Sequence, residues 1–217
     1  MQSAAPAADP TRQRLLDEAR GLFAERGFYG VSLAQIAGAL GITKQGLLHY
    51  FGTKERLYGE VLEGIASEYE ALRASIAETG SPADRLTAYL LALAGGTPAE
   101  TERARLLVRE LLDNRQRAET ARSWRLKPFL DELMAMLRTL PGWETASNAT
   151  CLAALVPLIG AVSYEAISAP TFQGIYGRKT AADMRRVFQS RYEAMVKATL
   201  ADTPKPGRAR AAREPSR

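Results

Sequence analysis

Cysteine and histidine are almost missing from this chain, which has one of each in 217 residues. A single cysteine, Cys151, excludes a disulfide within the chain and any multi-cysteine metal site, and one histidine leaves few other soft metal ligands. Disulfides belong to oxidising compartments, so their exclusion favours a reducing one. We expect no metal and no cofactor.

Long hydrophobic runs are also missing. No segment reaches the ~18 uninterrupted apolar residues of a membrane-spanning helix. The start, MQSAAPAADP, has no basic stretch followed by an apolar core, so no export signal is expected. These two absences predict a soluble, cytoplasmic protein with no membrane partner.

Positively charged residues are in small excess. The net charge is +5, and the basic, proline-containing residues 202–217 hold three of those charges, so the excess elsewhere is weak evidence for any partner. Residues 1–9 are rich in alanine and proline and cannot bury enough apolar surface to fold. We predict disorder at 1–9 and 202–217, around a body whose 46% hydrophobic content is ample for a core.

Strand alternation is absent as well, because apolar residues recur with helical spacing. Besides a short helical pair at 32–50, capping and breaking residues predict helices at about 10–26, 54–79, 81–94, 98–114, 119–140, 144–169 and 180–200. Pro170 is expected to stop the penultimate helix, with a loop at 171–179. The predicted fold class is all-α with about nine helices.

The stretch at 31–54, VSLAQIAGALGITKQGLLHYFGTK, predicts a helix-turn-helix. Ser32 can cap its first helix, Gly41 can end that helix, and Thr43 can cap the second. No Asp or Glu occurs between Gly27 and Lys54. An acid-free surface of this kind suits a polyanion.

The second helix of the pair has two different faces. A rotation of ~100° per residue turns Leu47, Leu48 and Phe51 toward the other helices. The opposite face presents residues suited to base edges, phosphates and close approach: Gln45, Gly46, His49 and, on the flank, Tyr50. This face is predicted to enter the DNA major groove.

The order of a first helix, VSLAQIA, GITK, LHYF and TKERL resembles the DNA-binding region of TetR-type (TetR/AcrR) transcriptional regulators over residues 11–60. By position, the resemblance implies DNA contacts from Ser32, Thr43, Lys44, Gln45, Gly46, His49, Tyr50 and Lys54. Two features depart from the usual pattern: Ala34 stands where many relatives carry arginine, and Leu48-His49-Tyr50-Phe51 replaces an aromatic pair followed by His-Phe. Base preference is therefore not carried over.

The same resemblance implies a helix-turn-helix DNA-binding domain at 10–53 and a ligand-binding and dimerisation domain at 54–201. A homodimer would form through the last two long helices, about 144–169 and 180–200, bind palindromic operator DNA, and respond to a small-molecule effector. Pattern alone leaves the apolar run 151–162 equally compatible with a core and with a subunit interface.

Candidate effector contacts are residues that interrupt or line the apolar helices of the second domain: Leu106, Arg109, Trp124, Phe129, Tyr164 and Glu165. An alternative interpretation places the aromatic residues in the core and leaves Glu165 either facing solvent or paired with an arginine. Cys151 could sense redox state, but a cysteine in an apolar helix usually packs.

Three classes of function are therefore compared. The favoured class is a ligand-responsive homodimeric repressor. The second is an effector-independent or activating DNA-binding protein, including an architectural one. The third, an enzyme, is disfavoured because His49 lies on the predicted DNA face and no glycine loop has phosphate-binding spacing.

Overall fold

The computed structural model describes residues 9–113 and 126–204, and this part of the chain contains helices and no strand. Its elements are α1 (Pro10–Arg26), α2 (Leu33–Ala39), α3 (Lys44–Phe51), α4 (Lys54–Ser75), α5 (Pro82–Leu93), α6 (Pro98–Asp113), α7 (Lys127–Leu137) and α8 (Asn148–Ala201). The backbone of α8 is interrupted at Gly177, which divides it into two helical segments. The all-α prediction with about nine helices is confirmed.

Side-chain caps fix where most of these helices begin. The caps whose side chains accept a backbone amide are Asp9, Ser32, Thr43, Thr53, Ser81 and Ser147. Ser32 and Gln35 form a reciprocal capping box, with Ser32 Oγ 3.2 Å from Gln35 N and Gln35 Oε1 2.7 Å from Ser32 N. Losing a cap costs ~1 kcal/mol, so short-range chemistry alone sets these boundaries.

A single core cluster extends from Leu15 in α1 to Leu200 in α8. Helix α1 packs against α2, α4 and α6, while α8 packs against α5, α6 and α7. Phe23 of α1 and Tyr58 of α4 meet edge to face, with their ring centroids 5.0 Å apart. Helix α6 thus lies between α1 on one side and α8 on the other.

Helix α8 corrects the prediction for the C-terminal part of the chain. Pro170 does not stop the helix, and 171–176 are helical, so both the predicted stop and the predicted loop at 171–179 are wrong. A proline in a helix costs about 3 kcal/mol, but such propensities yield to tertiary contacts. Here Arg185 of the second segment bonds both Glu165 of the first, at 3.1 Å, and the carbonyl of Gly96, at 2.7 Å.

Other boundaries shift by a few residues. Helix α4 ends at Ser75, short of the predicted 79, and α8 begins at Asn148 instead of near 144. Trp143 lies in the preceding turn and donates its indole N–H to the carbonyl of Leu200 at 3.0 Å, which ties both ends of α8 together. The structural predictions for residues 1–8, 114, 119–125 and 205–217 concern positions outside the described part of the chain.

Gly177 offers a direct test of the α8 break. Its φ of 81° and ψ of 163° belong to a region that is essentially restricted to glycine. Gly177→Ala should therefore lower the free energy of unfolding by about 1–3 kcal/mol, measured by chemical denaturation at one protein concentration. An added Cβ would meet no atom within 4 Å, so any loss comes from the backbone.

The matched control is Gly174→Ala, three residues earlier in the same helix. This site is also open to a Cβ and has no positive φ, so alanine should raise stability by roughly 0.4–1 kcal/mol. Equal effects from the two substitutions would show that the helix does not need a glycine conformation at 177.

Candidate nucleic-acid interface and ligand cavity

Helices α2 and α3 are held as a pair by a tight turn. Gly41 has a φ of 67°, a left-handed conformation that glycine adopts at little cost, and Ile42 N bonds Ala37 O at 3.0 Å. Ile36 and Ala37 of α2 and Leu47 and Phe51 of α3 are at most 1% exposed. Their apolar contacts fix the orientation of the outer face of α3.

That outer face contains most of the predicted DNA contacts. Ser32, Thr43, Lys44, Gln45 and His49 are exposed, while Gly46, Tyr50 and Lys54 are half-buried. Thr43 Oγ1 accepts the Gly46 amide at 3.1 Å, so its hydroxyl hydrogen is still available for a phosphate oxygen. The same argument applies to Ser32, whose oxygen caps α2.

Tyr50 and Lys54 make contacts that the sequence does not reveal. The Tyr50 hydroxyl lies close enough to the carboxylate of Asp9, the α1 cap, to favour its ionised form. The backbone amide of Thr11 is the main cause that holds the pKa of Asp9 below its usual value; desolvation opposes it, and the Tyr50 hydroxyl adds a smaller lowering effect. Lys54 Nζ lies 4.3 Å from the centroid of the Phe28 ring. Both residues therefore help to join the helix-turn-helix to its neighbours.

Two exposed residues near this face were not predicted. Tyr29 is 59% exposed just before α2, and its ring packs edge to face on Phe28, with a centroid distance of 5.2 Å. Arg56 lies on the first turn of α4, its Nε 3.5 Å from Glu60. The available sequence signal for Tyr29 was an aromatic residue three positions before the predicted cap Ser32. Both side chains can donate to phosphate.

The second candidate site is an apolar cavity of about 390 Å³ between α6, α7 and α8. Its size falls in the usual range for small-molecule sites, about 300–1,000 Å³. No charged side chain is among its described lining residues, which are Leu107, Val108, Leu111, Phe129, Leu130, Val156, Ile159, Gly160, Ser163, Tyr164 and Ile167.

The six candidate effector residues are divided by this cavity. Phe129 and Tyr164 line it. Leu106 is fully buried in the core. Trp124 lies outside the described residues.

The other two candidates point elsewhere. Arg109 Nη2 donates to the carbonyl of Glu25 in the last turn of α1 at 2.8 Å, and the Glu165 carboxylate accepts from Arg185. For Glu165 this is the alternative pairing that the sequence left open. The α6 lining is Leu107, Val108 and Leu111, an i, i+1, i+4 spacing that could have identified this helix face.

Metal ligation has no support in the described part of the chain, where no group of three or more His, Cys, Asp or Glu side chains converges. Cys151 is fully buried, and its Sγ lies 3.8 Å from the carbonyl of Ala146. A buried thiol in this position packs and is not presented to solvent oxidants.

Residues 15–61, which include the whole helix-turn-helix, match the family described as bacterial regulatory proteins, tetR family. This part of the chain is a TetR-family helix-turn-helix region. Its curated relatives are transcriptional regulators. The HTH-type transcriptional regulator RutR of Escherichia coli K12 is 28% identical over 137 residues, or 63% of each chain. The HTH-type transcriptional repressor KstR2 of Rhodococcus jostii is 41% identical over 69 residues, 29% of this chain and 34% of KstR2.

Solved structures show the same fold over nearly the whole chain. The fatty acid degradation regulator FadR of Bacillus halodurans superposes with a TM-score of 0.67 at 15% identity, covering 92% of this chain and all of FadR. The ketosteroid regulator KstR2 of Mycobacterium tuberculosis has a TM-score of 0.63 at 19% identity, covering 90% of this chain and 98% of KstR2. At these identities the likeness concerns the fold alone.

A substitution at Gly46 can distinguish the predicted role in DNA binding from a role in folding. A Cβ at Gly46 would meet Thr43 Oγ1 at 3.5 Å and Ile42 Cδ1 at 3.8 Å, ordinary contacts that require no rearrangement. Gly46→Ala should keep or raise stability, by up to ~1 kcal/mol, yet weaken operator binding if α3 approaches the bases closely. Gly38→Ala, on exposed α2 with open space, is the control and should leave DNA affinity unchanged.

Gln45 and Lys44 are adjacent exposed residues with different predicted roles. Gln45→Ala should weaken binding to a selected operator more than to random duplex, by ~1–3 kcal/mol, because it removes a base contact. Lys44→Ala should weaken both about equally and reduce the salt slope by about 0.9. Electrophoretic mobility shifts at several salt concentrations measure both effects. Equal losses for Gln45→Ala on the two DNAs would remove Gln45 from the base-reading residues.

Proposed function

We propose that this chain is a ligand-responsive transcriptional repressor that binds palindromic operator DNA as a homodimer and is released by a small-molecule effector. The observation that carries the proposal is the outer face of α3, where Gln45 and His49 are exposed beside Gly46 on a helix with a buried inner face. A bacterial cytosolic location, with the nucleoid when bound to DNA, follows from this role.

The long helix α8 supports the homodimer. By length and composition alone, this helix could cross a membrane. Within the chain, 28% of its most apolar 18-residue window is buried. One face packs on α5, α6 and α7. The other face of its first segment leaves a stripe of apolar and small residues exposed: Ala153, Val156, Pro157, Gly160 and Tyr164.

The second segment of α8 continues this pattern. Val187 is 59% exposed, and Ala194 and Ala198 are exposed on the same side. A Cβ at Gly160 would meet nothing within 4 Å, so another helix can approach closely there. Two such segments from each of two copies would form a four-helix interface and cover these apolar stripes.

Helix α6 provides the route from effector to DNA. Leu107 and Leu111 form part of the cavity wall, and on the same helix Arg109 bonds the last turn of α1. An effector that displaces α6 would therefore shift α1 and the helix-turn-helix attached to it. A dimer binds two half-sites about one turn of the DNA helix apart. A shift of a few ångströms in one helix-turn-helix relative to the other would therefore break the match to the major grooves.

Selection from a randomised duplex pool with the purified chain tests the DNA-binding part of the proposal. We expect an inverted repeat whose half-sites are one helical turn, or a multiple of it, apart. Enrichment of no sequence, combined with a steep salt dependence, would instead indicate an architectural DNA-binding protein. Reporter expression from the selected operator distinguishes repression from activation.

Val187→Glu tests the dimer interface. A charge buried in an apolar interface without a partner is strongly unfavourable, so the variant should be monomeric by light scattering and lose most of its operator affinity. Leu112→Glu is the control, because Leu112 is 66% exposed on α6 and belongs to neither α8 stripe. A dimeric Val187→Glu variant would place the interface elsewhere.

A further inference from the structure

A second, smaller cavity of about 30 Å³ adjoins the apolar one. The two share four lining residues, Leu107, Phe129, Ile159 and Ser163. The larger cavity is bordered by exposed Val156 and Tyr164, whereas the smaller one is bordered by Tyr192, which is 1% exposed. The smaller cavity is thus the deeper compartment, and its lining includes Glu100, Arg103 and Tyr192, which the larger one lacks.

Tyr192 is the unusual residue of the deeper compartment. Its buried hydroxyl has no hydrogen-bond partner among the described residues. Buried hydroxyls are nearly always bonded, because an unbonded one loses its interaction with water without compensation. Burial raises the pKa of Tyr192, so the group stays protonated at neutral pH and can donate.

The charges around the deeper compartment already pair with one another. Arg103 Nε lies 3.4 Å from Glu68 and its Nη2 lies 3.9 Å from Glu100. Glu100 also accepts the Thr97 amide at 2.6 Å. Arg20 pairs with Glu68 and Glu102. The two charged residues that line the compartment, Glu100 and Arg103, are therefore paired with each other, and Arg103 is also paired with Glu68.

This balance disfavours a charged ligand. A carboxylate would find Arg103 already paired with Glu68 and Glu100, and an ammonium would find Glu100 already paired with Arg103. Burying either ion in the apolar compartment without a full partner is costly. An uncharged oxygen needs only the hydrogen bond that the Tyr192 hydroxyl offers.

We infer that the effector is an uncharged, largely apolar molecule with one hydroxyl or carbonyl oxygen, and that Tyr192 binds this oxygen in the deeper compartment. The inference rests on the proposed effector site. The apolar body occupies the larger cavity against Phe129 and Ile159, and the small side chain of Ser163 lies where the compartments meet. Octan-1-ol, octanoate and octylammonium share one flexible body and differ in the end group.

Titration calorimetry of the full chain with these three probes at pH 7 tests the inference. Octan-1-ol should bind, with octanoate and octylammonium at least about tenfold weaker. Tyr192→Phe should weaken octan-1-ol binding by about two- to tenfold, the effect of one hydrogen bond, without lowering the melting temperature, because no bond within the protein is lost.

Tyr89→Phe is the matched control. The Tyr89 hydroxyl is also buried, but it donates to the carbonyl of Tyr69 at 3.2 Å and does not line either cavity. This variant should lose stability and keep octan-1-ol affinity. Unchanged octan-1-ol affinity in Tyr192→Phe, tighter binding of a charged probe, or binding of none of the three overturns the inference.

The outcome is separable from that of the proposed function. Operator binding is measured without any probe, so failure of octan-1-ol to bind leaves the DNA-binding proposal intact. Binding of octan-1-ol with the expected pattern, but without release of the operator, would support the site and contradict effector-controlled release.

Discussion

The ion pairs of Arg20 hold α1, on which the helix-turn-helix of α2 and α3 packs, against the rest of the molecule. Arg20 lies on α1 and pairs with Glu68 on α4 and Glu102 on α6. Burial opposes its positive charge, but the hydrogen bonds and charge of the two glutamates outweigh that effect and raise its pKa. The helix-turn-helix packs against α1 through α2. Its position therefore depends on how α4 and α6 are placed relative to the Arg20 side chain.

The same network reaches the deeper compartment. Glu68 contacts both Arg20 and Arg103, and Arg103 lines the cavity beside Tyr192. Arg109, one and a half turns farther along α6, holds the carbonyl of Glu25. Helix α6 therefore presents apolar side chains to the cavity and charged ones to α1. Movement of this one helix would change both surfaces, as reciprocal coupling between effector and DNA requires.

Sequence reasoning succeeded where short-range chemistry decides the structure. The caps at Ser32 and Thr43 and the breaker at Gly41 act within three or four residues, so their effects can be derived from spacing. It failed where distant contacts decide. Arg185 bridges Glu165 and Gly96 and so supports a helix that runs through Pro170. Likewise, nothing local to Arg109 indicates that it bonds α1 instead of a ligand.

Under the proposed function, helix α8 would serve both dimerisation and ligand binding. Its exposed stripes suit a second copy of the chain. Ile159 and Ser163, which are adjacent in sequence to stripe residues of the first segment, form cavity walls. Val156, Gly160 and Tyr164 belong to both the stripe and the cavity lining. A partner helix packed on this stripe would lie against the cavity, so dimerisation and ligand binding should be energetically coupled. The apolar face of α8 cannot be optimised for one without altering the other.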